Sequence, residues 1–90
     1  MKYRIKKGLA WRRVAGELFI VDAAGAELRE LNGPAALLWE KLAAGAGAAE
    51  LPAALRAEYE VGAAAAAADS AAFLEELAAA GLISPEGEGK

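Results

Sequence analysis

The order of apolar and polar positions predicts three strands in the first third of the chain. Residues 11–14 form a short run with strand character, and Ala15-Gly16 is a plausible two-residue turn because glycine readily adopts positive φ. Residues 17–22 are β-branched, aromatic and nearly continuous in apolarity, which favours a central strand covered on both faces. Residues 26–31 have mixed polarity, which suits an edge strand. Short connections favour an antiparallel meander in chain order.

Helix signals begin directly after the third strand. Asn32 or Gly33 can cap a first helix, and Pro34 fits its first turn because the missing N–H would be unpaired there. This helix is expected to run to about residue 44. A second helix is expected over about residues 48–59, because leucines and a tyrosine repeat every four positions along it.

The third predicted helix covers residues 64–80 and begins with a run of alanines, which have the highest helix propensity. Ser70, Phe73 and Leu77 form its apolar stripe, and Gly81 is well suited to end it. The fold class expected is therefore α+β, with a three-stranded antiparallel sheet followed by three helices. One domain is expected over residues 1–84, followed by a flexible tail over residues 85–90.

Composition removes several classes of function. The 90-residue chain has no cysteine and no histidine, so disulfides, thiolate nucleophiles, imidazole bases and zinc-finger ligand sets are excluded. The absence of cysteine is compatible with a reducing cytoplasmic setting, which is the expected localisation. No apolar run approaches the roughly 18 residues that a membrane span needs, so no membrane partner is expected. No metal or other cofactor is expected either.

Charge is unevenly distributed although the net charge is only −3. The first thirteen residues contain six basic residues and no acid, whereas acids dominate from Glu17 onward. We interpret the basic segment as a solvated N-terminal arm; the alternative is a basic face that steers an acidic partner.

The order of these segments resembles the PqqD-like family, also called the RiPP precursor recognition element. The resemblance covers about residues 9–83 and includes Leu31-Asn32-Gly33-Pro34 before a tryptophan-containing helix, the segment 69–77 and Gly81-Leu82-Ile83. It implies a small winged helix-turn-helix-like domain that binds the leader of a ribosomally made precursor peptide. It also implies presentation of that peptide to a modifying enzyme, such as a radical SAM protein.

In the family, the leader pairs with the third strand and lies against the third helix. Carried over to this chain, the resemblance implies a peptide-binding site with two walls. The strand wall consists of Glu27, Leu28, Arg29, Glu30 and Leu31, and the helix wall of Asp69, Ala72, Phe73 and Glu76. Which face of the third helix lines the groove is not determined by the sequence, and monomer and homodimer both remain open because an edge strand can pair with itself.

No catalytic constellation is apparent in the sequence. Ser70 has no base at a spacing that would activate it, and Glu75 and Glu76 point about 100° apart on a helix. The chain is therefore expected not to be an enzyme. A winged helix-turn-helix DNA-binding protein is one alternative, but the third helix carries acids and no cation, which disfavours nucleic acid. A generic protein-interaction module is the other alternative.

Overall fold

The computed structural model describes residues 2–86. In chain order its elements are β1 (Tyr3–Ile5), β2 (Leu9–Val14), β3 (Glu17–Asp22), β4 (Glu27–Leu31), α1 (Gly33–Ala43), α2 (Leu51–Glu58), α3 (Ala63–Ala79) and β5 (Ile83–Pro85). A short 3-10 turn, Ala48–Glu50, leads into α2. The expected α+β architecture of three antiparallel strands followed by three helices is confirmed.

The main sheet has the order β2-β3-β4, and both neighbouring pairs are antiparallel. Along β3 the side chains alternate, with Leu18 and Ile20 buried against the helices. Val21 points to the opposite face and is 44% exposed. The expectation that β3 is covered on both faces is therefore wrong, because the helices pack on only one face of the sheet.

The turn between β2 and β3 fixes how these strands pair. Ala15 and Gly16 have φ values of 53° and 87°, so both central residues adopt positive φ. Two consecutive residues of this kind form the turn type whose twist matches the flanking strands. Val14 and Glu17 face each other directly across it.

Two additional strands were not predicted. β1 and β5 pair antiparallel, with Tyr3 opposite Pro85, and the Glu86 N–H donates to the Lys2 carbonyl at 2.9 Å. The solvated N-terminal arm is therefore a wrong interpretation for residues 3–5. Pro85, expected in the tail, lies in β5, while residues 87–90 lie outside the described part of the chain.

The core lies between the inner face of the sheet and the three helices. Its largest fully buried side chains are Trp39, Leu18, Ile20, Leu51 and Leu77. The predicted stripe of α3 is confirmed, because Ser70, Phe73 and Leu77 are all buried. The Ser70 hydroxyl donates within its own helix, to the Ala66 carbonyl at 2.7 Å, so its role is structural.

Asn32 occupies the cap position of α1, but its side chain makes no capping hydrogen bond. The backbone conformation there is extended, and Pro34 lies in the first turn as expected. The helix start therefore depends on the proline and on the chain direction after β4 rather than on an asparagine side-chain cap.

Several of the N-terminal cations contact the body of the domain. Lys2 Nζ donates to the Gly45 carbonyl at 3.0 Å, and Lys6 Nζ donates to Asp22 Oδ2 at 2.6 Å. Arg13 binds Glu40 through two hydrogen bonds, at 3.0 and 2.7 Å. These cations help to hold the first residues of the chain against the rest of the domain.

The Lys6–Asp22 pair makes a testable prediction about acid stability. The hydrogen bond from Lys6 lowers the pKa of Asp22, and the Gly25 N–H adds to this effect. A carboxylate with a lowered pKa stabilises the fold above its unfolded-state pKa of about 4, and that contribution is lost as pH falls through the lower folded-state pKa. Lys6→Met should therefore raise the Asp22 pKa towards its ordinary value, as measured by carboxyl carbon NMR titration. Lys7→Met is the matched control and should leave it unchanged; an unaltered Asp22 pKa in Lys6→Met would contradict the prediction.

Candidate functional site

The candidate site begins at the free edge of β4. Within residues 2–86, β4 pairs with β3 on one side and with no strand on the other. The unpaired edge presents backbone N–H and C=O groups that an extended chain can use.

The turn geometry identifies which groups these are. A two-residue turn closes on a hydrogen-bonded pair, so Val14 and Glu17 direct their backbone groups towards each other. Successive residues of an antiparallel strand direct those groups to opposite sides. Leu18 and Ile20 therefore direct theirs towards β4.

The same alternation then applies to β4 itself. Leu18 faces Leu31 and Ile20 faces Arg29, so Arg29 and Leu31 use their backbone groups within the sheet. Leu28 and Glu30 consequently direct their N–H and C=O groups outward. Leu28 is also the most exposed large apolar residue in the described part of the chain, at 68%.

A cavity of about 310 Å³ lies beside the end of β4. β4 contributes Arg29, Glu30 and Leu31 to it, and α3 contributes Phe73 and Glu76. The remaining lining residues are Glu17, Asn32, Ala35 and Leu77. The cavity therefore lies between the end of β4 and the side of α3 that carries Phe73 and Glu76.

A second cavity, of about 280 Å³, continues from the first along α3. The two cavities share Asn32, Ala35, Phe73 and Glu76. Asp69 and Ala72 line only the second, together with Pro34, Leu38 and Leu55 from α1 and α2. We call this continuous depression, lined by the residues of both cavities, the trough.

Seven of the nine predicted site residues line the trough. They are Arg29, Glu30, Leu31, Asp69, Ala72, Phe73 and Glu76. Glu27 and Leu28 do not line it; both are exposed at the start of β4. The structure thus brings the two predicted walls together along the second half of β4, and the binding role of these residues stays a prediction.

Sequence reasoning missed Glu17, Asn32 and Ala35 as lining residues. Glu17 begins β3, yet it reaches the trough because it lies diagonally across from Glu30 in the β3–β4 register. Glu17 can be identified as a lining residue only from the alignment of β3 with β4. That alignment follows from the lengths of the turns on either side of β3. Asn32 and Ala35 lie where the chain turns from β4 into α1.

Charges at this end of the trough are mostly negative. The pKa of Glu17 is raised, chiefly because its protonated carboxyl can donate a hydrogen bond to Glu30, and the nearby negative charge of Glu30 adds to the rise. Arg29 lies half-buried on the trough side of β4 and forms no ion pair with any residue of the described chain. Glu17 and Glu30 are therefore neighbouring carboxyl groups whose ionised forms repel each other.

Residues 2–86 contain no cluster of acidic side chains that could hold a metal ion. None of the helices described combines the length and apolarity that crossing a membrane requires. The strand edge offers backbone groups for pairing with an extended chain, and the trough beside it offers side-chain contacts with α3.

Comparison with known families decides what kind of domain this is. The family model described as coenzyme PQQ synthesis protein D (PqqD) matches residues 17–83, which include β3, β4 and all three helices. The chain belongs to the PqqD family. A search of curated proteins gave no match.

Two solved structures share the fold of this PqqD-family domain. One is described as TbiB1 in complex with the TbiA(beta) leader peptide; it is 24% identical, covers 100% of both chains and gives a TM-score of 0.83. The other is described as lasso peptide synthetase B1 complexed with the leader peptide. It is 27% identical over 94% of this chain and 100% of that chain, with a TM-score of 0.84. The winged helix-turn-helix-like arrangement of strands and helices is thus one already seen in solved proteins.

Proposed function

We propose that this PqqD-family domain binds the leader of a ribosomally synthesised precursor peptide and presents it to a modifying enzyme. The observation that carries this proposal is the free edge of β4 beside the trough. An extended peptide can pair there as a further strand, opposite Leu28 and Glu30, and place alternate side chains against α3.

In strand addition, backbone groups and side chains make different contributions to peptide binding. The outward N–H and C=O groups of Leu28 and Glu30 supply hydrogen bonds that any peptide sequence can satisfy. Discrimination between peptides then comes from the trough, where Phe73 provides apolar surface and Glu76 provides charge. Because side chains alternate along a strand, every second residue of the peptide faces the trough.

The similarity to solved structures and the family match give this proposal independent support. Both solved structures with the same fold are described as bound to a leader peptide. The PqqD family match covers the two walls of the trough, from β4 to α3.

The domain contributes binding rather than catalysis. Ser70, the serine of α3, is buried and bonded to its own helix, and no histidine or cysteine exists in the chain. The chemical step then belongs to a separate peptide-modifying enzyme; a radical SAM protein is one candidate class and a lasso peptide synthetase assembly another. The cytoplasm, where precursor peptides are made, is the proposed location.

The described residues offer no observation that favours DNA binding. The exposed positions of α3 include Asp69, Glu75 and Glu76 but no lysine or arginine. A helix of this charge would repel the phosphates of a duplex.

An NMR titration tests the proposed function. The ¹⁵N-labelled domain is titrated with the leader of a short candidate precursor peptide from the same genome, and amide shifts are followed. We expect saturable shifts concentrated at Leu28, Glu30, Phe73 and Glu76, because strand addition changes the hydrogen bonding of the first two and the surroundings of the others.

The β1–β5 pair supplies an internal control for this titration. Arg4 and Ser84 pair in that separate sheet and should shift little. Saturable shifts confined to β1 and β5, or no saturable shifts at any leader concentration, would refute the proposal. A duplex DNA titration in low salt should produce no saturable shifts.

A further inference from the structure

Resting on the proposed function, we infer that the trough beside the end of β4 takes a lysine or arginine side chain of the bound peptide. The inference concerns the first cavity, the part of the trough that contains Glu17 and Glu30. It names a specificity for the site rather than a second site.

The lining of this cavity combines an apolar floor with an acidic rim. Leu31, Phe73 and Leu77 are buried and form the floor. Glu76 borders the cavity from α3, whereas Glu17 and Glu30 lie on the outer face of the sheet and border it at the strand edge. All three are exposed and form the rim. Lysine and arginine suit such a lining because their alkyl stems lie along apolar surface while their charged heads stay at a polar boundary.

An uncharged apolar side chain would match only the floor. It would cover carboxylates of the rim without giving them a partner, and removing a carboxylate from water without a partner is costly. An acidic side chain would add repulsion from the rim. The cavity therefore discriminates among peptide residues by both shape and charge.

Among residues 2–86, Arg29 is the one cation that lines this cavity. Three carboxylates against one guanidinium leave an excess of two negative charges when all are ionised. Arg29 forms no ion pair with the described residues, so it does not cancel any single glutamate by direct contact. The net charge favours a cation from the peptide over a carboxylate that would bind Arg29.

The closeness of Glu17 and Glu30 is a further reason to expect a cationic peptide residue in this cavity. Glu17 and Glu30 lie together at the rim, and their hydrogen bond raises the pKa of Glu17. A peptide ammonium or guanidinium placed beside them would offset the repulsion between their ionised forms. Affinity for a cationic peptide should then increase as pH rises through the range in which Glu17 ionises, with Glu30, Arg29 and Glu76 as the other charged groups around it.

A displayed library of random peptides tests this specificity without knowledge of the natural leader. Selection is carried out on the wild-type domain, on the triple variant Glu17→Gln, Glu30→Gln, Glu76→Gln, and on the control Glu75→Gln. Glu75 lies on the same helix but borders Tyr3 and Pro85 on the other flank of α3. The rim glutamates are exposed, so the triple variant should fold.

We expect peptides selected on the wild type, and on Glu75→Gln, to carry lysine or arginine at one fixed position. Replacing that residue by norleucine, which keeps the alkyl stem, should weaken binding to the wild type about tenfold, as expected for a charge-assisted contact. The same replacement should have little effect on binding to the triple variant.

Three other outcomes separate the failure of this inference from the failure of the proposed function. Selected peptides that bind at the β4 edge without a fixed cation, or with a fixed acid, would refute the inference and leave leader binding in place. Selection of no peptide on wild type, together with no shifts from the natural leader, would refute both. Binding at the β4 edge is identified by comparing a peptide's affinity for the wild type with its affinity for Leu28→Pro. Peptides that bind the two proteins equally do not use the edge, and this result would refute both the inference and the proposed function.

Discussion

Leu28→Pro should leave the domain folded and weaken leader binding at least about tenfold, whereas Arg29→Pro should destabilise the fold by about 3 kcal/mol or more. Proline removes a backbone N–H in both variants, but the two N–H groups point to opposite sides of β4. The Leu28 N–H points outward, to where the leader would pair. The Arg29 N–H is used within the sheet opposite Ile20, whose carbonyl would lose its partner.

Urea unfolding and peptide titration distinguish the two effects. Leu28→Ala and Arg29→Ala are the matched controls, because they remove the same side chains and keep the N–H groups. Both alanine variants should be folded, and Leu28→Ala should bind more tightly than Leu28→Pro. If both proline variants fold and bind like the wild type, β4 is not the docking edge.

Leu77→Ala should lower the free energy of unfolding by about 2 to 5 kcal/mol. Leu77 is only 1% exposed and lies where α3 meets the sheet and the floor of the trough. Its truncation removes apolar contacts and leaves a cavity that a small core cannot easily close. Since domains of this size have only about 5 to 13 kcal/mol of stability, much of the total would be lost.

Thermal and urea unfolding measure this loss. Leu28→Ala provides a comparison of the same chemical change at an exposed position, and it should alter stability by less than about 0.5 kcal/mol. Equal effects of the two truncations would mean that Leu77 does not support the core.

Much of the fold could be predicted from local patterns. The strand at Glu17–Asp22 was evident because its apolar and β-branched residues are contiguous, and the stripe of Ser70, Phe73 and Leu77 had helical spacing. The outer face of β3 was misjudged, because contiguous apolar residues do not reveal whether a second layer covers Val21. The trough could be outlined from the family resemblance, which already pointed to β4 and α3.

What sequence reasoning missed depends on contacts between distant positions. β1 and β5 are three residues each, and their partners lie at opposite ends of the chain, so neither has a local pattern that identifies it. Glu17 was missed as a lining residue for a related reason. Its contact with Glu30 follows from the alignment of β3 with β4 and not from anything in its own neighbourhood.

The pairing of β1 with β5 also determines how this domain can be connected to other proteins. Residues 2 and 86 are joined by a backbone hydrogen bond, and Tyr3 and Pro85 border the flank of α3 that faces away from the trough. Connections at both ends would therefore leave from one place, on the side opposite the proposed peptide site. Such a domain can be inserted as a unit into a surface loop of an enzyme, with its peptide-binding side left unobstructed.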